Sequence, residues 1–474
     1  MKRVAVVGGG ISGLTAAYRL RTLLGEAATI TVFETSLVPG GKLRTAEVAG
    51  QRYDVGAEAF LARRPEMTAL AREIGLGELI THPTKARAKI HAGGAVLGLP
   101  PGTVMGVPAS ADAVADVLSP EGRRAVEAET TLPPVSLPGA DVPLGPLLRE
   151  RFGDELVDRL VDPLLGGVYA GGADGLGLRA TMPGLASAVA SGAGSLTAAA
   201  ATLLPRTPGT APVFGTLVGG LGTLLDRLAE LSGAEVRTGA PVRALSRTVT
   251  GWRLELGAAA AAHAPSDTPV DVDAVVLAVP APSARRLLAD VVPAAATAFG
   301  EVELASMAVV ALALPPGTVL PEASGVLIGA GERDTSGVPY AVKAFTFSSR
   351  KWAHLAPEGG PVLVRGSVGR FGEPGALHAD DDELVRVVRE DLARLSGVTA
   401  SPIDTLVTRW GGGLPQYGAG HLDRVERIER AVADVPGLAV AGATLHGVGL
   451  PACVATADAA AKRVAEHLSA ISRT

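Results

Sequence analysis

A four-residue apolar run, Val4 to Val7, breaks directly into GGGISGL, and from Ile11 to Leu24 the apolar residues suit a helix. A second apolar run, Thr29 to Phe33, ends on Glu34. This order, strand, glycine turn, helix, strand, predicts two parallel buried strands joined by a right-handed crossover. Gly8, Gly10 and Gly13 stand at the spacing G-x-G-x-x-G, with Gly9, Ile11 and Ser12 filling the same turn. Gly8 permits the tight turn, Gly10 lets backbone approach a pyrophosphate, and Gly13 lets helix and strand pack closely. The free N–H groups of the helix start then receive the phosphate charge. Glu34 lies about 20 residues beyond Gly13, where a carboxylate accepts protons from ribose hydroxyls. Such a carboxylate repels a 2′-phosphate, so the pattern disfavours NADP and leaves FAD or NAD.

Two further strand-like runs, Asp273 to Pro280 and Leu438 to Gly442, come after long excursions, so the dinucleotide unit is expected to be discontinuous. The 474 residues are 47% hydrophobic and 19% charged, which excludes a disordered polymer and allows about three structural units. Formal net charge is −5, too weak to suggest nucleic-acid binding. Cys453 is the sole cysteine, so neither an intrachain disulfide nor a cysteine-built metal site can form; a reducing, cytoplasmic setting is expected, and no metal. The VAVV run breaks into glycine too early for a signal peptide. Ala180 to Pro205 carries no charge and exceeds the ~20 residues of a membrane span. Pro183, Gly184, Gly192 and Gly194 interrupt it, however, and Ala, Ser and Thr dominate it, so a docked helix pair is expected and no span. Contact with a membrane surface stays open. Other helical stretches are expected at Pro146 to Val161 and Leu185 to Leu204. Residues 308–316 and 361–368 read as strands of a second, mostly antiparallel sheet beside a helix from Asp380 to Leu395, and 257–269 as a solvent loop.

GGKLRT (Gly40 to Thr45) follows Glu34 closely, and YDVGAEAF (Tyr53 to Phe60) comes next. With the first turn, these resemble the FAD-dependent amine oxidase superfamily. FGDELVDRLVDPLLGGVYAGGADGLGLRATMP (Phe152 to Pro183), RWGGGLPQYGAGHL (Arg409 to Leu422) and GVGLPACV (Gly447 to Val454) narrow the resemblance to its porphyrinogen oxidases. It implies an α/β fold with a Rossmann-like FAD-binding domain (1–56, 215–295, 422–474). A mixed, mostly antiparallel substrate domain (57–95, 296–421) and an inserted α-helical domain (96–214) complete it. FAD is then expected over NAD, with dioxygen as final acceptor and hydrogen peroxide as product. Coproporphyrinogen III is the expected substrate, giving coproporphyrin III in haem biosynthesis, with transient contact to the next haem-pathway enzyme. Protoporphyrinogen IX is the alternative substrate. An amine oxidase, or a flavin-binding partner that hands on porphyrin without oxidising it, are the readings of other kinds.

The resemblance carries cofactor contacts to the turn residues and Glu34, and to Lys42, Arg44, Gly56, Ala57, Glu58, Ala59, Val242, Trp410, Gly442, Val448, Gly449 and Leu450. Read as residues alone, Lys42 and Arg44 also suit solvated charges, Val242 a plain strand position, Trp410 a core tryptophan, and Gly442 and Gly449 turn glycines. Arg63, Arg64 and Arg179 are expected on the substrate side, Arg64 against a propionate. A solvated arginine, and for Arg179 a helix-end charge, are the competing roles. His421 and His446 are candidate proton acceptors or structural histidines, with no acidic partner evident. Pyrrole nitrogen stabilises the charge left by a departing hydride, so no side-chain base is demanded. Leu185 to Leu204 lacks the charges usual in that segment of the porphyrinogen oxidases, so basic contacts are not expected from it.

Overall fold

The computed structural model describes residues 2–137, 139–205, 211–258 and 269–471. The first apolar run is strand β1 (Lys2–Val7), paired in parallel with β2 (Ala28–Phe33) on one side and with Ala274–Leu277 on the other. Glu235–Arg237 extends the sheet beyond β2 and Leu438–Val440 extends the opposite edge, so five parallel strands come from distant parts of the chain. The two late strands stop short of their expected ends because Pro280 follows one closely and Gly442, at φ +125°, turns the other. Alternation along β1 sends Val4 and Val6 to one layer and Ala5 and Val7 to the other. Helix α1 (Ile11–Leu24) and the long helix Leu450–Ile471 cover the first layer. The second packs on Trp252 and Leu254 of a small antiparallel sheet and on helices Ala281–Leu288, Pro293–Gly300 and His421–Ala433.

The second sheet has seven strands in the order Asp404–Pro415, Leu304–Leu314, Val362–Val368, Val342–Thr346, Gly325–Ile328, Ala88–Ala92 and Ala95–Gly98. Its neighbours run antiparallel except for Gly325–Ile328 beside Ala88–Ala92. Ala308, Val310, Leu312 and Leu314 pack on the helix Asp381–Ser396, whose start Asp380 caps by accepting from the Glu383 N–H (2.8 Å). Ala311 and Ala313 face the other way, against Tyr53 and Val55 from the stretch that follows the glycine turn.

Between these sheets in sequence lies a helical region with its own core, including Leu148, Phe152, Leu160, Leu165, Leu185 and Leu196. The stretch expected as one helix from Pro146 to Val161 is split by Gly153 (φ +80°) into Leu144–Phe152 and a turn leading to a π-helical segment, Val157–Val161. The uncharged stretch forms the expected pair, Pro183–Ala190 and Leu196–Leu203, separated by Gly192 at φ +99°. Buried Glu129 holds the second helix by accepting from the Leu196 and Thr197 N–H groups (2.8 and 3.1 Å), and Arg151 neutralises that carboxylate at 2.8 Å. Among the described residues no helix is long and apolar enough to cross a membrane. Residues 259–268 of the loop expected at 257–269 lie outside the described residues.

Candidate functional site

The glycine turn is closed so tightly that side chains cannot enter it. A Cβ on Gly13 would overlap the Gly8 carbonyl oxygen, and one on Gly8, which sits at φ +108°, would overlap the Ala278 carbonyl. Gly10 precedes α1 and no side chain caps that helix, leaving its first N–H groups for another acceptor. Glu34 is fixed at the turn: Oε2 accepts from the Gly9 N–H at 2.8 Å and Oε1 from the Ser36 N–H at 2.7 Å. Ile11 packs into the core below, and the Ser12 hydroxyl donates to the Cys453 carbonyl at 3.3 Å.

That last bond brings a second helix start to the same place. Gly447 (φ +154°), Val448 and Gly449 lead into the helix that begins at Leu450, where the Ala452 and Cys453 N–H groups donate to the Gly449 carbonyl (3.1 Å each). Gly442 faces Ser12 and donates its N–H to the Thr456 hydroxyl at 3.1 Å. Two helix N-termini, each introduced by glycines, therefore flank one point.

Lys42 lies in the loop that crosses this point, where the Gly40 N–H donates to the Gly9 carbonyl at 2.8 Å. Burial holds its ammonium below the usual lysine range, with Cys453 nearby. Arg44 is exposed, its carbonyl accepting from the Val55 N–H at 2.9 Å. The Ala57 N–H donates to the Lys42 carbonyl at 3.0 Å, and a Cβ on Gly56 would overlap that same oxygen. The Trp410 ring closes over Gly56 and donates its indole N–H to the Val55 carbonyl at 3.2 Å. Ala59 packs beneath, against the second sheet.

Glu58 points into that sheet and joins Lys351 (2.5 Å) and Arg365 (3.3 Å). Burial raises its pKa, but Arg365 and Lys351 outweigh burial and hold it at about 2. Arg365 also donates to the Gly56 and Asp54 carbonyls at 2.9 and 3.3 Å, so the ion pair clamps the 54–58 segment. Asp54 accepts from the Thr45 hydroxyl (2.5 Å) and the Leu221 N–H (3.1 Å), and burial nevertheless pushes it up to about 6. Val242 is buried at the start of its strand, and its carbonyl accepts from Arg286 at 3.1 Å.

On the expected substrate side, Arg63 and Arg64 are exposed at the start of the helix Pro65–Glu73, and Arg64 turns back to pair with Glu66. Arg179 stands apart on the short helix Leu178–Thr181, half-buried, its N–H donating to Asp141 at 2.8 Å. His421 is buried, stacked on Tyr417 with ring centroids 3.8 Å apart, and bonds the Leu445 carbonyl at 3.0 Å; burial pushes it down to about 4. His446 is exposed on Glu429 at 2.6 Å, an acidic partner that sequence reasoning did not find. Sequence reasoning also missed Lys351 and Arg365; Arg365 had the advance signal of a single cation in an apolar run, whereas Lys351, next to Arg350 in a polar stretch, had none.

The family model for flavin containing amine oxidoreductase matches residues 11–465. A coproporphyrinogen III oxidase of Mycobacterium bovis is 45% identical over 98% of this chain and 98% of its own length. Its counterpart in Bacillus subtilis is 31% identical, again over 98% of both. A crystal structure of a provisionally named protoporphyrinogen oxidase from Exiguobacterium sp. 255-15 superposes with a TM-score of 0.84, at 33% identity, covering 98% of this chain and 99% of that one. The glycine turn, the paired helix starts and these likenesses along the whole chain agree: the chain belongs to the flavin containing amine oxidoreductases, with FAD as cofactor, alongside the coproporphyrinogen III oxidases.

Proposed function

We propose that this chain oxidises coproporphyrinogen III to coproporphyrin III, and the observation that carries the reading is the 45% identity maintained over 98% of the chain. The residues present fit FAD. Gly8, Gly10 and Gly13 leave backbone open to a pyrophosphate, and Glu34 has lone pairs left for ribose hydroxyls. Lys42 supplies a cation beside the turn. The N-terminus at Val448 to Leu450 offers N–H groups and positive potential to the ring system, and Gly442, without a side chain, allows its close approach. Gly56, Ala57 and Trp410 orient that ring from the side of the second sheet, while Val242 lines the adenine end.

When bound, FAD supplies the hydride acceptor for a methylene bridge and returns the electrons to dioxygen as hydrogen peroxide. The protein's own task is to hold the macrocycle in register and to balance its carboxylates. Arg64 leaves Glu66 for a propionate, Arg63 reinforces it, and Arg179 serves a second carboxylate. The product then passes to the next haem-pathway enzyme in transient contact. The single buried cysteine fits a cytoplasmic setting.

Anaerobic mixing of the purified yellow protein with coproporphyrinogen III tests the reading. Bleaching of the flavin band supports oxidation, and an unchanged spectrum despite binding would show a porphyrin-transfer partner instead. The similarity to a provisionally named protoporphyrinogen oxidase favours protoporphyrinogen IX as the second substrate. A comparison of kcat/KM on the two porphyrinogens separates them.

A further inference from the structure

Lys343 sits on the strand Val342–Thr346 at a bulge, where Val342 pairs with Val368 but Ala344 already pairs with Ser367. Bulges of this kind re-aim a side chain. Across the sheet, Val309, Ser367, Ala344 and Leu327 are successive partners and so share one face; Met307, two residues before Val309, shares it as well. Met307 is paired with Trp410, the residue closed over Gly56, so this is the face turned toward the dinucleotide unit. Met307, Ser367, Ala344 and Leu327 are each half-buried there, forming an incompletely covered floor.

The Lys343 side chain runs along that floor. It is 6% exposed, and its ammonium meets the Gly166 carbonyl at 3.4 Å and the Met307 sulfur at 3.9 Å. No carboxylate pairs with it among the described residues. Its charged neighbour is another cation, Arg370, which donates to the Ile328 and Gly329 carbonyls at 3.0 and 3.5 Å. Other charges on the packed elements are already engaged. Asp162, on the helix bearing Gly166, accepts from the Ala173 N–H at 2.6 Å, and Arg365 is held by Glu58 and the Gly56 carbonyl. The strands Leu304–Leu314 and Gly325–Ile328 carry no charge. Glu373 offsets the charge of Arg370 within its own turn, which leaves Lys343 as the buried ammonium without a counter-ion, a costly arrangement that calls for an anion.

We propose that Lys343, backed by Arg370, is an anchor for one carboxylate of the tetrapyrrole, placed on the floor beside Met307. The assignment rests on the porphyrinogen reading and adds a specificity element to it, since a substrate with more propionates has more groups to place. Burial, reinforced by Arg370, lowers the free ammonium to about 7. A carboxylate partner raises it again, so binding takes up a proton above pH 7. The contribution is full below pH 7 and fades as pH rises through the bound value.

Coproporphyrin III, the stable oxidised product, is the probe, with its tetramethyl ester as the uncharged control, each titrated by fluorescence into the flavin-loaded protein. Lys343→Met is expected to weaken the acid by at least tenfold and leave the ester unchanged, while Lys343→Arg restores much of the affinity. Calorimetry of the wild type at pH 8 in two buffers of different ionisation enthalpy should show proton uptake, absent in Lys343→Met. Equal losses for acid and ester, or no proton uptake by the wild type, overturn the assignment. The calorimetric arm needs no variant to fold. If the wild type bleaches with coproporphyrinogen III yet fails these tests, the anchor falls alone; if it does not bleach, the functional reading falls with it.

Discussion

Replacing Glu58 by Gln removes one charge from a buried cluster while keeping its shape. Glu58 is 9% exposed, and its partners Lys351 and Arg365 have side chains 18% and 13% exposed, so solvent screens the cluster little. A pKa held at about 2, against an ordinary 4.5, corresponds to roughly 3 kcal/mol of folded-state stabilisation. That agrees with the ~3–5 kcal/mol lost when one member of a buried ion pair is deleted. Spread over a chain of this length unfolding as one unit, it lowers Tm by about 3 °C, and by more if the seven-stranded sheet melts on its own. The folded pKa lies below the unfolded one, so the stabilisation is full above pH 4.5 and disappears as pH falls through about 2. Differential scanning calorimetry of wild type and Glu58→Gln from pH 7 to pH 3 should therefore show a gap that narrows with acid. A variant with the wild-type Tm at pH 7, or a gap independent of pH, would refute the electrostatic account of the clamp.

Three further outcomes follow from the same geometry. Gly13→Ala forces a methyl group onto the Gly8 carbonyl, so the purified protein should carry less than a tenth of the wild-type flavin; an unchanged absorbance ratio at 450 and 280 nm counts against the turn as the pyrophosphate site. Asp54→Asn should act opposite to Glu58→Gln. The raised pKa of Asp54 means its stability is full below pH 3.8 and lost as pH rises through about 6, so the asparagine variant should gain Tm relative to wild type at pH 8 and not at pH 4. Arg64→Ala should raise KM for coproporphyrinogen III about tenfold with kcat nearly constant, the signature of lost ground-state binding; an unchanged KM would leave Arg64 as no more than the partner of Glu66.

The parts legible in the sequence are those whose physics is local. Gly8, Gly10, Gly13 and Glu34 are tied to one turn and its two adjoining strands, and α1 runs over the expected residues 11–24. The helix expected from Asp380 to Leu395 is found one residue later at both ends, because Asp380 is its cap. The strands Gly325–Ile328 and Val342–Thr346 were not legible, being four and five residues long with loops as their borders. Nor was the Glu58 clamp, whose members are separated by about 300 residues and meet only through the sheet. Lys343 is a different case. A lone lysine within AVKAFTF is a local anomaly that sequence inspection can detect, but only the bulge shows which face it serves. The helix break at Gly153 was similarly masked, since glycine is tolerated within many helices and only its positive φ marks the interruption.

The parallel sheet also dictates a timetable. Its edge strand Leu438–Val440 and the helix that packs along α1 come from the last 34 residues described, so most of the polypeptide has left the ribosome before the nucleotide pocket can close. Until then Val4, Leu14 and Leu20 lack the partners that shield them, and the nascent chain exposes an oily, unfinished half-shell. Flavin capture is thus a late event in biogenesis, and losing even a short tail would cost the cofactor before it cost the earlier-made helical region.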